Sequence, residues 1–124
     1  MNQRFADDVI ELLDAEREIR IETIQPDDQP QRTTIWVVVD EAEAFVRSWR
    51  GERARWFQAA LDRPAEVVVL AGGRRLAVRA VPATDDASVA RCSSALERKY
   101  AGDQSTSSML REEILGTTLR LEPR

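Results

Sequence analysis

The 124-residue sequence contains no histidine and a single cysteine, Cys92. Without histidine, the chain lacks the commonest general base, the usual partner of a serine or cysteine nucleophile, and a preferred transition-metal ligand. One cysteine allows neither an intramolecular disulfide nor a thiolate metal cluster. A histidine-based catalytic triad and a zinc site are therefore excluded. Any demanding chemistry would have to come from a bound cofactor.

Long apolar runs are also missing. None approaches the roughly 20 residues that a membrane-spanning helix needs, and the acidic N-terminal region does not have the composition of a signal peptide. Hydrophobic residues make up 43% of the chain and charged residues 32%, as is ordinary for globular proteins. These features predict a cytoplasmic protein without a membrane partner, folded as one domain over residues 1–124.

Lysine is almost absent, since Lys99 is the only lysine among 18 basic residues. The net charge of −4 is unevenly spread: residues 1–31 carry three basic and nine acidic side chains, and residues 47–79 carry eight arginines against three acidic side chains. Arginine's planar donor fork suits phosphate and carboxylate groups. Because the basic excess is confined to one segment of an acidic protein, nucleic acid ranks behind a small anionic ligand as a partner.

Residues 48–56 read SWRGERARW and place two of the three tryptophans among three arginines and a glycine. Gly51 would let the backbone approach a ligand closely, and the amides at the start of the following helix would suit an anion. An arginine could pair with a phosphate while a tryptophan covers a flat ring. The alternative is that Trp56 and Phe57 are core residues and the arginines point into solvent.

Apolar periodicity predicts elements in the order α-β-β-β-α-β-β-α-β. Helices are predicted over 2–15, 53–61 and 86–100, with a helical turn over 109–114. Strands are predicted from residue 18 to a turn at 25–30, and over 32–40, 44–49, 66–71, 74–81 and 116–123. Gly72 and Gly73 suit a two-residue hairpin loop. Six strands in a short chain leave costly edges unless the sheet closes, so we expect an α+β, mainly β, antiparallel barrel with flanking helices.

Several side chains with catalytic potential have simpler structural explanations. Trp36 lies in an apolar strand, and Cys92 and Tyr100 lie on the apolar stripe of a helix, where packing is expected. Asp27-Asp28 and Asp85-Asp86 occupy turn and helix-cap positions that capping explains. No loop has the carboxylate spacing of a metal site, so none is predicted.

The element order and several short motifs resemble those of the split β-barrel flavoproteins. The motifs are the strands RTTIWVV and AFVRSWRG, the pair WF before a helix that ends in RP, and a hairpin through GG. The nearest group is the nitroreductase-like deazaflavin-dependent oxidoreductases, and the pyridoxamine-phosphate oxidases are more distant. The chain is identified as a member of a small uncharacterised bacterial family beside them. The resemblance covers residues 18–122 and implies a six-stranded split barrel of the FMN-binding type.

The resemblance also implies a cofactor site. Residues that match the cofactor-facing strand of the deazaflavin enzymes are Arg32, Thr33, Thr34 and Trp36. Residues at the turn for the cofactor's phosphate end, and beside it, are Ser48, Trp49, Arg50, Gly51, Arg55 and Trp56. The cofactor would be deazaflavin (coenzyme F420) or FMN, bound between the subunits of a homodimer.

The implied activity is transfer of a hydride or electrons to an unidentified small substrate, with no residue identified as catalytic. Two departures from the family pattern support an alternative. Thr34 and Ile35 stand where a proline is common, and Ala59 stands where an asparagine is common. The alternative is a non-enzymatic split-barrel dimer with a binding or structural role.

Overall fold

The structure, a computed structural model, describes residues 4–124. Seven strands form one antiparallel sheet: β1 Ile19–Ile24, β2 Pro30–Ile35, β3 Val38–Asp40, β4 Glu43–Val46, β5 Val67–Ala71, β6 Arg74–Pro82 and β7 Leu119–Pro123. The helices are α1 Asp7–Ala15, α2 Arg55–Asp62, α3 Asp86–Lys99 and α4 Thr106–Met109. Short 3-10 turns occupy Gly51–Arg53, Pro64–Glu66 and Glu112–Thr117. In this part of the chain no helix combines the length and apolar character needed to cross a bilayer.

The sheet curls because its two edge strands are consecutive in the chain. The strand order is β2-β1-β5-β6-β7-β4-β3, so β2 and β3 lie at opposite edges. Only Trp36 and Val37 separate them. Three residue steps, from Ile35 to Val38, can span at most about 11 Å. The two edges must therefore come together there, which gives a curled half-barrel.

This break corrects the prediction of one strand over 32–40, and it makes the strand number seven and not six. Val37 belongs to neither strand, and its carbonyl accepts hydrogen bonds from Lys99 Nζ at 2.7 Å and the Tyr100 hydroxyl at 3.2 Å. Both donors lie at the end of the α3 segment. The pattern of apolar residues does not reveal the break, because the apolar run from Ile35 to Val39 continues across it without interruption.

Other boundaries also differ from the prediction. The described part of the predicted helix over 2–15 is α1, which begins at Asp7, and residues 1–3 lie outside the described part. The predicted strand over 44–49 ends at Val46, because the chain then turns and the Ser48 amide donates to the Thr117 side chain. The last strand begins at Leu119, since the residues before it form a 3-10 turn.

The core has two parts on either side of the sheet. Alternate residues of the strands fill the barrel interior, together with apolar residues of α1 and α2: Ile19, Ile21, Val67, Val69, Val78, Ala80, Leu119, Leu121, Val9, Leu13 and Phe57. The second part lies between α3 and the outer face of β3 and β4, and contains Val38, Phe45, Cys92, Leu96 and Tyr100. Each fully buried large apolar side chain contributes about 1.5–3 kcal/mol. The predicted packing roles of Cys92 and Tyr100 are confirmed.

Local signals in the sequence explain several element ends. Asp85 caps α3 by accepting a hydrogen bond from the Ser88 amide at 3.0 Å, as predicted. Gly72 and Gly73 form the predicted loop between β5 and β6, with φ of +54° and +77°. A Cβ on Gly72 would lie 2.6 Å from Leu12 Cδ1, so this glycine also lets α1 pack closely on the hairpin.

Candidate functional site

The turn after β4 brings the SWRGERARW segment to the surface. Ser48 is buried; its hydroxyl donates to the Gly51 carbonyl at 2.7 Å, and the Gly51 amide donates to the Ser48 carbonyl at 3.0 Å. Gly51 has φ of +71°, a conformation that favours glycine. Ser48 and Gly51 thus build a tight turn that leads directly into α2.

Beside this turn lies a groove of about 1160 Å³. We call it the arginine groove, because Arg50, Arg53, Arg55 and Arg111 line it. Within residues 4–124 none of these four arginines forms an ion pair with a carboxylate. Two carboxylates, Glu52 and Glu113, also line the groove. Four positive and two negative side chains leave an excess of positive charge.

Trp49 stands at the rim of the arginine groove with 55% of its surface exposed. Arg111 holds this region in place: its Nη2 donates to the Trp49 carbonyl at 2.6 Å and its Nε to the Ser108 carbonyl at 2.8 Å. The guanidinium carbon lies 5.9 Å from the centroid of the Trp49 ring. Large apolar side chains exposed in this way often mark binding surfaces.

A second cavity, of about 300 Å³, adjoins the groove. We call it the tryptophan cavity, because Trp36, Trp49 and Trp56 all line it, together with Arg47. Trp36 stacks on Tyr100 with ring centroids 3.8 Å apart, and Trp56 packs edge-to-face on Phe57 at 6.0 Å. Two walls are therefore held by aromatic packing. Thr33, Trp49, Arg50 and Trp56 line both the groove and the cavity, which makes them one connected site.

Eight of the ten residues predicted for the cofactor site line this connected site: Thr33, Thr34, Trp36, Trp49, Arg50, Gly51, Arg55 and Trp56. The structure places Arg32 and Ser48 elsewhere. Arg32 donates from Nε to Glu22 Oε1 at 3.0 Å, and Arg75 donates to the other oxygen at 3.1 Å. Arg75 and then Arg32 hold the pKa of Glu22 below its ordinary value. Arg32 thus has a structural partner.

The two interpretations of the SWRGERARW segment are both partly realised. Trp56 and Phe57 are buried and belong to the core, as the simpler interpretation requires. Arg50, Arg53 and Arg55 are exposed, but they surround one groove. Trp36, expected to be a core residue, also lines the tryptophan cavity.

Sequence reasoning missed Arg47, which is only 1% exposed. Its Nε donates to Thr118 Oγ1 at 2.9 Å, Nη1 donates to Ser93 Oγ and the Met109 carbonyl at 3.0 Å each, and Nη2 donates to the Val89 carbonyl at 3.2 Å. Burial lowers the pKa of Arg47. The two-residue period of β4 was an available signal, since it continues from Phe45 to Arg47 on the side that faces α3.

Three other titratable groups lie in the packing around α3. Burial raises the pKa of Cys92 to about 11 and that of Tyr100 to about 12, so both are neutral at pH 7. Burial lowers the pKa of Lys99 to about 8, and its Nζ donates to the Leu13 and Val37 carbonyls. All three groups tie α3 to its neighbours, and none of them lines the arginine groove or the tryptophan cavity.

Over residues 9–121 the chain matches the DUF2255 family, described as an uncharacterized protein conserved in bacteria, and it therefore belongs to that family. No curated protein matches the sequence.

Solved structures share the fold. A putative pyridoxamine 5′-phosphate oxidase from Listeria innocua has a TM-score of 0.67 and 14% identity, covering 95% of this chain and 92% of that one. The Vibrio cholerae heme storage protein HutZ has a TM-score of 0.68 and 13% identity, covering 98% and 91%. An F420-H2 dependent reductase has a TM-score of 0.63 and 12% identity, covering 86% and 95%. The predicted resemblance in fold to such proteins is thereby confirmed.

Proposed function

Starting from membership of the DUF2255 family, we propose that this protein binds a flavin-type cofactor, FMN or the deazaflavin coenzyme F420. We further propose that it acts as an oxidoreductase on a small substrate. The observation that carries the proposal is the connected site, in which a cavity with three tryptophans adjoins a groove with four arginines that form no ion pair within residues 4–124.

The two parts of the site fit the two ends of such a cofactor. A flat ring suits the tryptophan cavity, whose volume of about 300 Å³ and aromatic walls are typical of small-molecule pockets. A phosphate-bearing chain suits the arginine groove, because guanidinium groups bind phosphate through charge-assisted hydrogen bonds. When bound, the cofactor supplies hydride or electron transfer, which protein side chains do not.

The start of α2 adds a further anion-binding element. Its first residue, Arg55, follows Ala54, which makes no side-chain capping hydrogen bond. The first N–H groups of a helix have no acceptor within the helix, and the helix dipole favours negative charge there. Ala54 and Arg55 line the arginine groove, so the start of α2 borders the region where an anionic chain would lie.

The fold supports a cofactor of this type. It is shared with the putative pyridoxamine 5′-phosphate oxidase and with the F420-H2 dependent reductase. It is also shared with the heme storage protein. Heme suits this chain less well, because heme iron needs an axial ligand, usually histidine, cysteine, methionine or tyrosine. The chain has no histidine, and Cys92, Tyr100 and Met109 are buried in the packing beside α3, with Met109 alone of these three lining the tryptophan cavity.

A non-enzymatic role remains the second candidate, and one observation favours it. Ala59, which stands where related enzymes commonly have asparagine, is buried in α2 and presents no polar group. The charged side chains around the tryptophan cavity are Arg47, Arg50 and Glu18. A protein of this second kind would bind the cofactor without passing its electrons to a substrate.

We also propose that the protein is a homodimer. Trp49 and Leu61, with 55% and 45% of their surfaces exposed, are the large apolar side chains that stand out from the described surface. Trp49 lines both parts of the connected site, so a partner subunit near it would help to enclose a bound ring. A purified protein that remains monomeric at micromolar concentration in equilibrium sedimentation would contradict this proposal.

Fluorescence titration with FMN and, separately, coenzyme F420 tests cofactor binding. All three tryptophans of the chain line the tryptophan cavity, so a ring bound there should quench most of the tryptophan emission. We expect saturable quenching with a micromolar dissociation constant for one of the two cofactors. The absence of saturable quenching with both would overturn the proposal. If one binds, oxidation of its reduced form by candidate acceptors distinguishes an enzyme from a binding protein.

A further inference from the structure

Arg47 is a deeply buried arginine that forms no ion pair within residues 4–124. Arg91, which is 29% exposed, forms ion pairs with Asp40, Glu41 and Glu43. Arg47 is far more deeply buried, yet among residues 4–124 it pairs with no carboxylate. A buried charge is costly unless it is compensated, and proteins usually compensate it with an opposite charge.

Neutral groups satisfy most of the Arg47 donors but leave its charge in place. The acceptors are two hydroxyls and two backbone carbonyls, contributed by Thr118, Ser93, Met109 and Val89. A guanidinium has five N–H groups. The four bonds leave one N–H of Nη2 without an acceptor in the described chain. The neighbouring Cys92 is no counter-ion, because its raised pKa keeps the thiol protonated at neutral pH.

The position of Arg47 makes this charge relevant to a ligand. It lines the tryptophan cavity between the aromatic walls, where Arg50 contributes a second positive charge. Glu18 is the one carboxylate residue on that wall within residues 4–124, and it is exposed to solvent. A buried charge is screened less by solvent than an exposed one, so Arg47 should contribute more than the exposed Arg50 to the potential felt by a bound ring.

We propose that the tryptophan cavity selects a flat ring that carries a negative charge, with Arg47 as the specificity-determining counter-charge. The class of ligand is an aromatic anion, either the anionic form of a cofactor ring or an aromatic carboxylate. The inference relies on the proposed function only in taking the cavity as the place where a flat ring binds. Arg47 also ties α3, α4 and the start of β7 to the end of β4, so the test must separate charge from structure.

Two naphthalene probes of matched shape provide that test. 2-Naphthoate carries a carboxylate where 2-naphthamide carries a neutral amide, and binding of each is measured by calorimetry. We expect the wild-type protein to bind naphthoate about 10- to 100-fold more tightly, as is typical of a charge-assisted hydrogen bond. The preference should persist up to about 0.3 M salt, since a buried charge is screened less than a surface charge. Equal affinities, a preference that salt abolishes, or no binding of either probe would overturn the proposal.

Three variants assign the preference to a residue. Arg47→Lys keeps the charge and should keep most of the preference, whereas Arg47→Met should bring the ratio of affinities close to one. Arg79→Met is the control, because Arg79 is exposed and lines neither the groove nor the cavity, and it should keep the ratio. A folded Arg47→Met that retains the preference would contradict the proposal. If Arg47→Met does not fold, the wild-type salt series and Arg47→Lys decide.

The same titrations distinguish this inference from the proposed function. If naphthoate is preferred but neither FMN nor coenzyme F420 binds, the role of Arg47 is supported and the flavin-type function fails. If a cofactor binds but the two naphthalene probes bind equally, the function is supported and the role of Arg47 is overturned.

Discussion

Arginines in two regions of the molecule differ in whether they form ion pairs. Beside the turn between β3 and β4, Arg91 donates from Nε to Asp40 Oδ2 at 2.6 Å and from Nη1 to Glu43 Oε1 at 2.7 Å, and Arg98 adds a bond to Asp40. In the arginine groove, four arginines have no such partners within the described chain. The same residue type is part of the framework on one side and is available to a ligand on the other.

The ion pairs of Arg91 and Arg98 beside the turn between β3 and β4, which we call the paired side, have a structural role. The turn between β3 and β4 has positive φ at Glu41 (+48°) and Ala42 (+63°), a conformation that non-glycine residues seldom adopt. Arg91 binds the residues on both sides of this turn, Asp40 and Glu43. Its ion pairs help to hold a strained hairpin closed. Of the groove arginines, Arg111 binds the Trp49 and Ser108 carbonyls, whereas Arg50, Arg53 and Arg55 hold no comparable element of the described chain, so the positions of these three are better explained by a ligand.

The largest effect on stability is expected when the paired side is broken at Asp40. Asp40→Asn removes the carboxylate that binds Arg91 and Arg98 and should lower the free energy of unfolding by about 2 kcal/mol. Glu52→Gln, which changes a carboxylate of the arginine groove that forms no ion pair within residues 4–124, should change the free energy of unfolding by less than about 0.5 kcal/mol. Urea denaturation measures both, and equal effects would contradict the comparison.

Acid should weaken the ion pairs that Asp40 and Glu22 form. Arg91 lowers the pKa of Asp40 from its ordinary value of 3.8, and Arg75 lowers that of Glu22 from 4.5. The folded protein therefore binds fewer protons than the unfolded chain, so this stability is present above those values and is lost as pH falls through the lowered pKa values. Denaturation between about pH 6 and pH 2 should show this decline. Asp40→Asn should make the decline shallower, and an unchanged slope would argue against the ion pairs.

Gly51→Ala tests the turn that presents the groove. An alanine at φ of +71° costs about 1 kcal/mol, since its Cβ would make only an ordinary 3.5 Å contact with Ile114 Cγ2 and the backbone is the main penalty. Gly116→Ala is the matched control, because Gly116 has no positive φ and its Cβ would meet no atom within 4 Å. Thermal denaturation that shows the same loss for both variants would contradict this account of the turn.

The smallest expected effect is an increase in the free energy of unfolding. Ala42→Gly relieves the positive φ in the hairpin that Arg91 holds, and it should raise the free energy of unfolding by about 0.5 kcal/mol after the extra entropy of glycine is subtracted. The effect should be larger in an Arg91→Met background, where the ion pairs no longer hold the turn. Urea denaturation of the four proteins measures this coupling, and simple additivity would show that Arg91 and the turn are independent.

The sequence predicted those parts of the fold that depend on local patterns. Alternating apolar residues located the strands, Gly72 and Gly73 marked a hairpin, and Asp85 marked the start of α3. The break at Trp36 and Val37 was not predictable in this way, because it results from closure of the sheet and the apolar run from Ile35 to Val39 crosses it without interruption. A period of two cannot distinguish one strand from two that follow each other directly.

The sequence predicted which residue types form the site, but not which of them form ion pairs or are buried. The SWRGERARW segment indicated a surface with arginine and tryptophan, and most of its residues line the connected site. Ion pairing depends on residues distant in sequence, so the sequence did not reveal that Glu22 engages Arg32. Nor did it reveal that Arg47 is buried, because α3, α4 and the start of β7 cover it only in the folded chain.

The most direct test of the comparison is the cofactor affinity of Arg50→Met and Arg53→Met relative to Arg32→Met, measured by tryptophan quenching with FMN and coenzyme F420. Each groove variant should weaken binding by about 10-fold or more, through loss of a charge-assisted hydrogen bond, with stability changed by less than about 0.5 kcal/mol. Arg32→Met removes a side chain that pairs with Glu22 and lines neither part of the site, so it should leave affinity unchanged. If all three variants bind as the wild type does, or if Arg32→Met alone weakens binding, the groove is not the site of the anionic chain.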